Sequence, residues 1–314
     1  MRDGIVELAA GPARARLAPA LGGRVTALRL APDGGGAARD VLAAFPEDTK
    51  PGALFRWPKG GLYPLIPYGN RVRNARLLFN GVEHALPPHP DAAPHTLHGH
   101  AHRLAWRPFR HDDASAAMEL DHDGDGEWPW RFAARLDAAL SPGALALTLT
   151  LRNTGDGPMP AGIGLHPYFR HGPEDRVGFR AGTEWPVTPD NLAEPPIPAR
   201  NSFDPPRPLP SGEQASYCSD WGGRSAVLFD DGTALRLRAD AVFGHLVLYR
   251  PASAAYLCLE PCSHAPDGFN LSERGVSGAG RAVLAPGEAL SGRVQIVLSA
   301  RHGPATSNNG NTRL

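Results

Sequence analysis

Along much of this chain hydrophobic and polar residues alternate with a period of two. The clearest run is Ala144 to Arg152, where Leu145, Leu147, Leu149 and Leu151 share one face and Ala146, Thr148 and Thr150 the other. That is the pattern of a strand with one buried side. Shorter runs of the same kind occur at Ile5 to Leu8, Arg24 to Leu30, Ala116 to Leu120, Trp130 to Leu136, Ala226 to Phe229, Leu235 to Leu237, Leu246 to Tyr249, Tyr256 to Leu259 and Arg293 to Leu298. No segment keeps a helical period over three turns. Hairpin signals such as Asn80-Gly81 and Asp231-Gly232 separate the runs. The expectation is an all-β fold, an antiparallel sandwich or barrel. The proline-rich stretch Pro186 to Pro210 reads as an irregular surface loop, and the polar residues 301–314 as a frayed tail behind one domain over 1–300.

Composition sharpens this picture. Gly 36 and Pro 33 in 314 residues is nearly twice the ~12% of average usage, and they are spread as turns rather than bunched. A chain of this length buries roughly three quarters of its unfolded surface, enough for a substantial core. No run approaches the ~18 apolar residues of a membrane span, so an integral membrane role is excluded on this reading. Lys+Arg 32 against Asp+Glu 32 leaves no net field for nucleic acid or an anionic bilayer. Met1-Arg2-Asp3-Gly4 carries no apolar leader, and three cysteines cannot all pair within one chain. A cytoplasmic location is expected.

Four stretches could hold chemistry. In Gly162-Ile163-Gly164-Leu165-His166-Pro167-Tyr168-Phe169, an extended backbone puts Gly162, Gly164 and His166 on one face, leaving a hollow beside an imidazole in which a flat ligand could lie. Pro167 biases His166 toward extended geometry. The residue reads either as a proton-transfer group or as a structural histidine beside packing glycines. In Tyr256-Leu257-Cys258-Leu259-Glu260-Pro261, alternation puts Glu260 on the face of Tyr256 and Cys258. Partial burial there would make it a base; otherwise it marks a solvated strand end.

The third stretch, His95-Thr96-Leu97-His98-Gly99-His100-Ala101-His102, holds four histidines. On a strand His98, His100 and His102 would project together like a metal site, although no cysteine or acid accompanies them; a ligand-facing His98 and exposed polar filler are the alternatives. The fourth, Pro67-Tyr68-Gly69-Asn70-Arg71-Val72, delivers an arginine after a turn, with a fork suited to hydroxyls, carboxylate or phosphate; taken singly, it reads more simply as a surface arginine.

Taken together these stretches resemble the aldose 1-epimerase (galactose mutarotase) family. Leu21-Gly22-Gly23-Arg24, Pro67 to Arg71, Leu97-His98-Gly99, Gly164 to Phe169, Trp221-Gly222-Gly223-Arg224, and Glu260-Pro261 followed by Asn270 occur in family order over roughly residues 3–300. The resemblance implies a large antiparallel β-sandwich, the galactose mutarotase-like supersandwich, with a monosaccharide in an open cleft on one sheet and with neither metal nor organic cofactor. It implies that Glu260 is the base at the anomeric hydroxyl and His166 the acid at the ring oxygen. It also implies that Arg71 and His98 hold hydroxyls and the ring region, and that Asn70, Asp220 and Trp221 complete substrate binding. One departure stands out. The family has an acid a few residues before the tryptophan, whereas this chain reads Ala215-Ser216-Tyr217-Cys218-Ser219-Asp220-Trp221. Asp220 either substitutes from a shifted position or that hydrogen bond is absent.

The leading expectation is a mutarotase for galactose or glucose. A hexose-6-phosphate mutarotase would need cations such as Arg71, Arg73 and Arg76 to converge on the phosphate, and strand alternation separates Arg76 from the other two. A sugar-binding module without turnover is the alternative outside enzymology.

Overall fold

The computed structural model describes residues 4–300 except 34, 57, 201 and 202; the tail expected over 301–314 lies outside the described residues. Two large antiparallel sheets face each other across an apolar layer. The first has twelve strands, ordered Val6–Ala10, Ala13–Ala18, Arg24–Leu30, Leu62–Leu65, Gly164–Pro167, Tyr256–Cys262, His245–Arg250, Gln214–Ser219, Thr183–Glu184 and Ile197–Pro198, with Arg39–Asp40 and Phe169–Arg170 paired off this path. The second has nine, ordered Arg107–His111, Ser115–His122, Phe132–Ser141, Ala144–Asn153, Ala289–Ser299, Ala234–Ala239, Arg224–Leu228, Arg176–Phe179 and Phe203–Pro208. Every run with period-two alternation lies wholly or mostly within one of these strands.

The leucine face of Ala144–Asn153 explains why the sheets stack. Leu145, Leu147, Leu149 and Leu151 are fully buried and join Leu28, Leu165, Leu246, Leu248, Leu257 and Leu259 of the twelve-stranded sheet in one cluster. Each such side chain contributes about 1.5–3 kcal/mol when removed from water. Hairpin chemistry is equally direct. Asn80 and Gly81 both take positive φ, 51° and 77°, as a two-residue turn between Arg76–Phe79 and Val82–Ala85 requires.

The stretch Pro186 to Pro210 departs from expectation, because it is not wholly irregular. Ile197–Pro198 and Phe203–Pro208 both pair as strands, the latter along Arg176–Phe179. Proline is tolerated there because each is the last strand of its sheet, with one side unpaired. Helix is scarce among the described residues. The α-helix Gly268–Glu273 follows the Tyr256–Cys262 strand and anchors Asn270, whose amide donates to the Arg76 carbonyl and accepts from the Leu78 N–H.

Candidate active site

The outer face of the twelve-stranded sheet carries a row of side chains set by strand register. Gly164 pairs with Cys262 and Phe169 with Leu257, so the same register puts His166 opposite Glu260. On its other side His166 pairs directly with Tyr63. Val25 pairs with Leu62, which brings Arg24 beside Tyr63. Glu260 pairs with Val247, and Val247 with Tyr217. Six neighbouring strands therefore contribute Arg24, Tyr63, His166, Glu260, Val247 and Tyr217 to one line across the sheet, about 4.8 Å from strand to strand.

Contacts within the row confirm it. His166 Nε2 lies 3.4 Å from Glu260 Oε1, with both side chains buried. The imidazole is stacked with Tyr63 (centroids 4.7 Å, 27°) and with Tyr168 (4.7 Å, 17°), which fixes its plane. The Arg24 guanidinium sits 4.4 Å from the Tyr63 ring centroid and 4.5 Å from that of Phe45. A hydrogen bond joins the Asn70 side chain to the Tyr217 phenol.

Electrostatics follow from burial. Glu260 is 3% exposed and desolvation pushes its carboxyl up to about 8. Burial, reinforced by the charges of Lys59 and Arg24, holds His166 well below the ordinary imidazole range. The pair therefore carries one proton near neutrality, and burial favours a carboxylic acid beside a neutral imidazole. A proton donor and a proton acceptor 3.4 Å apart can serve both ends of an acetal-like centre.

His98 reaches the same place from a loop. Its ring centroid is 5.1 Å from that of His166. Both His98 (φ 63°) and Asn70 (φ 57°) are left-handed, and they bond reciprocally: the His98 N–H donates to the Asn70 carbonyl, and the Asn70 N–H donates to His98 Nδ1 at 3.0 Å. This leaves the ring proton on Nε2. Burial first, then the neighbouring His166 and His102, keeps the ring neutral by lowering its pKa far below the ordinary range. Arg71 follows Asn70 and is half-buried, and its charge acts on both His98 and Tyr217.

Several sequence expectations are corrected. Strand geometry in the histidine cluster ends after Leu97, so the three imidazoles do not project as one row: His98 and His102 meet with ring centroids 6.5 Å apart, and His100 points elsewhere. His98 meets His166, His102 stacks on Tyr63, and His100 turns to His122, its Nε2 3.3 Å from His122 Nδ1. The hollow expected at Gly162 and Gly164 is filled by protein. A side chain at Gly162 would strike the His264 ring at 2.3 Å, and one at Gly164 would meet Cys262 Sγ at 3.0 Å. Those glycines admit packing neighbours, not a ligand.

Asp220 and Trp221 are committed elsewhere. Trp221 belongs to the layer between the sheets and its indole N–H donates to the Arg224 carbonyl. Asp220 is exposed, in a left-handed turn that aims its carboxylate at the Thr183 hydroxyl. On that strand the side chain delivered to the row is Tyr217. Arg73 pairs with Asp267 at 3.4 Å and Arg76 with Glu83 at 3.6 Å, so neither converges with Arg71 on a phosphate.

Tyr63, Tyr168, Tyr217 and the burial of Arg24 were missed as functional signals. Tyr168 lies within the quoted motif and Tyr217 within the departure, but cross-strand register is needed to see that they meet.

Comparison with known proteins bears on family and fold. The profile of the family described as aldose 1-epimerase matches residues 6–297. The uncharacterized protein YphB of Escherichia coli K12 is 29% identical over 275 residues, covering 82% of this chain and 91% of its own. A crystal structure from Escherichia coli K12, provisionally described as an aldose 1-epimerase, superposes with a TM-score of 0.80 at 24% identity, covering 94% of this chain and 98% of its own. A galactose mutarotase-like protein of Clostridium acetobutylicum gives 0.79 at 20% identity, covering 94% and 95%. These likenesses establish the shared fold.

Proposed function

The chain belongs to the aldose 1-epimerase family, and from that premise we propose that it interconverts the α and β anomers of a free aldose such as galactose or glucose, without a cofactor. The observation that carries this reading is the buried His166–Glu260 pair, 3.4 Å apart in register on neighbouring strands.

Burial alone favours the neutral pair. Sugar hydroxyls donating to the carboxylate favour the charged tautomer, carboxylate and imidazolium, which differs by the position of one proton. From that tautomer Glu260 takes the proton of the anomeric hydroxyl and His166 gives its proton to the ring oxygen. The bond between the anomeric carbon and the ring oxygen breaks and an aldehyde forms. The pair is then neutral, in the state burial prefers. Rotation about the bond between the first two carbons turns the other face of the aldehyde to the ring hydroxyl. Glu260 returns its proton to the carbonyl oxygen, His166 takes one from the attacking hydroxyl, and the ring closes. His98, donating through Nε2, stabilises charge on the ring oxygen, while Arg71, Asn70 and Tyr217 hold hydroxyls.

Polarimetry of freshly dissolved α-galactose or α-glucose tests the reading. The protein should hasten the approach to equilibrium, and Glu260→Gln and His166→Asn should each lower the enzymatic rate roughly 10²–10⁴-fold. Binding of sugar without faster rotation would end it in favour of a binding module.

A further inference from the structure

We propose that Cys258, His166 and Glu260 form a binding site for a zinc-class divalent cation, and that such a metal competes with sugar for the acid–base pair. The metal site stands on geometry alone; only the competition rests on the function proposed above.

Cys258 is two residues before Glu260 on the strand Tyr256–Cys262 and so shares its face, while His166 is across from Glu260. One ligand atom from each lies within 4.8 Å of the other two, and all three residues are buried. The 3.4 Å between His166 Nε2 and Glu260 Oε1 is about the ~3.3 Å edge of a tetrahedron with 2.0–2.1 Å bonds. Edges to a thiolate with a ~2.3 Å bond are about 3.5 Å, so Cys258 Sγ needs to close by little more than about 1 Å. Imidazole, thiolate and carboxylate are ligands zinc takes together, and three of them leave a fourth position for water.

Glu260 Oε2 is buried without a hydrogen-bond partner and is available to turn toward such an ion. On binding, the metal displaces the Cys258 thiol proton and the Glu260 carboxyl proton, both of which leave to water. No electron is transferred.

A second cluster, His100, His122 and Asp125, has comparable spacing but is already occupied internally. Its imidazoles share a hydrogen bond, and Asp125 Oδ1 accepts from the Glu127 and Trp128 N–H groups. It serves as the control.

The test is titration of the purified full-length chain with Co²⁺, read by the thiolate-to-cobalt charge-transfer absorption in the near ultraviolet. One equivalent should produce the band in the wild type, Zn²⁺ should displace it, and His122→Asn should leave it intact. Cys258→Ala and Cys258→Ser, each checked by thermal unfolding, should abolish it. No band in the wild type, or a band that survives both Cys258 substitutions, overturns the site. In polarimetry Zn²⁺ should inhibit the wild type, and Cys258→Ala should raise the inhibitory concentration by more than the roughly 10-fold that loss of even an outer ligand partner costs. A Cys258-dependent band in a protein that never accelerates mutarotation would sink the proposed function and leave the metal site standing. Turnover untouched by zinc that has displaced the cobalt would sink the competition.

Discussion

Along residues 257–262 the two faces of the twelve-stranded sheet are equally dry and chemically opposite. On the strand Tyr256–Cys262, Leu257 and Leu259 point into the layer between sheets, whereas Cys258, Glu260 and Cys262 point outward, and all are no more than 3% exposed. The inner face is held by leucines and carries no titratable group on this strand. The outer face buries a carboxylic acid against an imidazole between stacked tyrosines. Burial on the inner side stabilises the fold. Burial on the outer side costs stability: it raises the carboxyl of Glu260 and lowers the imidazole of His166, the exchange expected wherever a site is built at the expense of stability.

The largest expected effect breaks that contrast at Glu260. Glu260→Gln should cut kcat/KM by about 10²–10⁴ while leaving the fold intact or improving it. Folding raises this carboxyl from 4.5 to about 8, so the native state holds a proton that the unfolded chain has released. Its stabilising contribution is full below the unfolded value, falls as pH rises through the interval, and is lost above about 8. Thermal unfolding from pH 5 to 9 should therefore show the Gln variant gaining on the wild type with rising pH. One residue away, Leu259→Ala should do the reverse. About 2–5 kcal/mol of stability should be lost in denaturant unfolding, with kcat/KM of the folded fraction little changed.

A third outcome concerns the shared proton. The proposed mechanism requires one acid and one base, hence one proton on the pair. The kcat/KM profile should be flat around neutrality and fall about tenfold per pH unit above about 8. It should fall on the acid side only well below the ordinary histidine range, where His166 gains a second proton. Smaller still is Tyr217→Phe. Losing one neutral hydrogen bond of 0.5–1.5 kcal/mol should raise KM roughly 2- to 10-fold with little change in kcat. Asp220→Asn should be almost silent, within about 0.5 kcal/mol in stability and unchanged in rate, since its partner is a surface threonine.

What the sequence revealed followed the same division. Alternation of period two carries both faces at once, so the leucines of Ala144–Asn153 and the shared face of Tyr256, Cys258 and Glu260 were legible from spacing alone. Register was not. Nothing local to Gly164–Pro167 says that its neighbours are Leu62–Leu65 and Tyr256–Cys262, so the pairing of His166 with Glu260 came only through the family resemblance, and its contact with Tyr63 not at all. The histidine cluster misled because His98 and Gly99 both take positive φ, at 63° and 62°, which ends the strand and parts His100 from His98 and His102. Gly162 misled for a related reason. A missing side chain signals close approach without saying of what, and here the visitor is His264.

The proline-laden border of the nine-stranded sheet bears on how the molecule keeps to itself. Phe203–Pro208 is the last strand on that side, and Pro205, Pro206 and Pro208 supply no amide hydrogen. Three of the strand's six residues offer a stray strand no amide hydrogen, which makes the margin a poor template for further β-addition. A stretch whose composition argued against order thus acts as a selvedge, finishing the weave so that it does not grow.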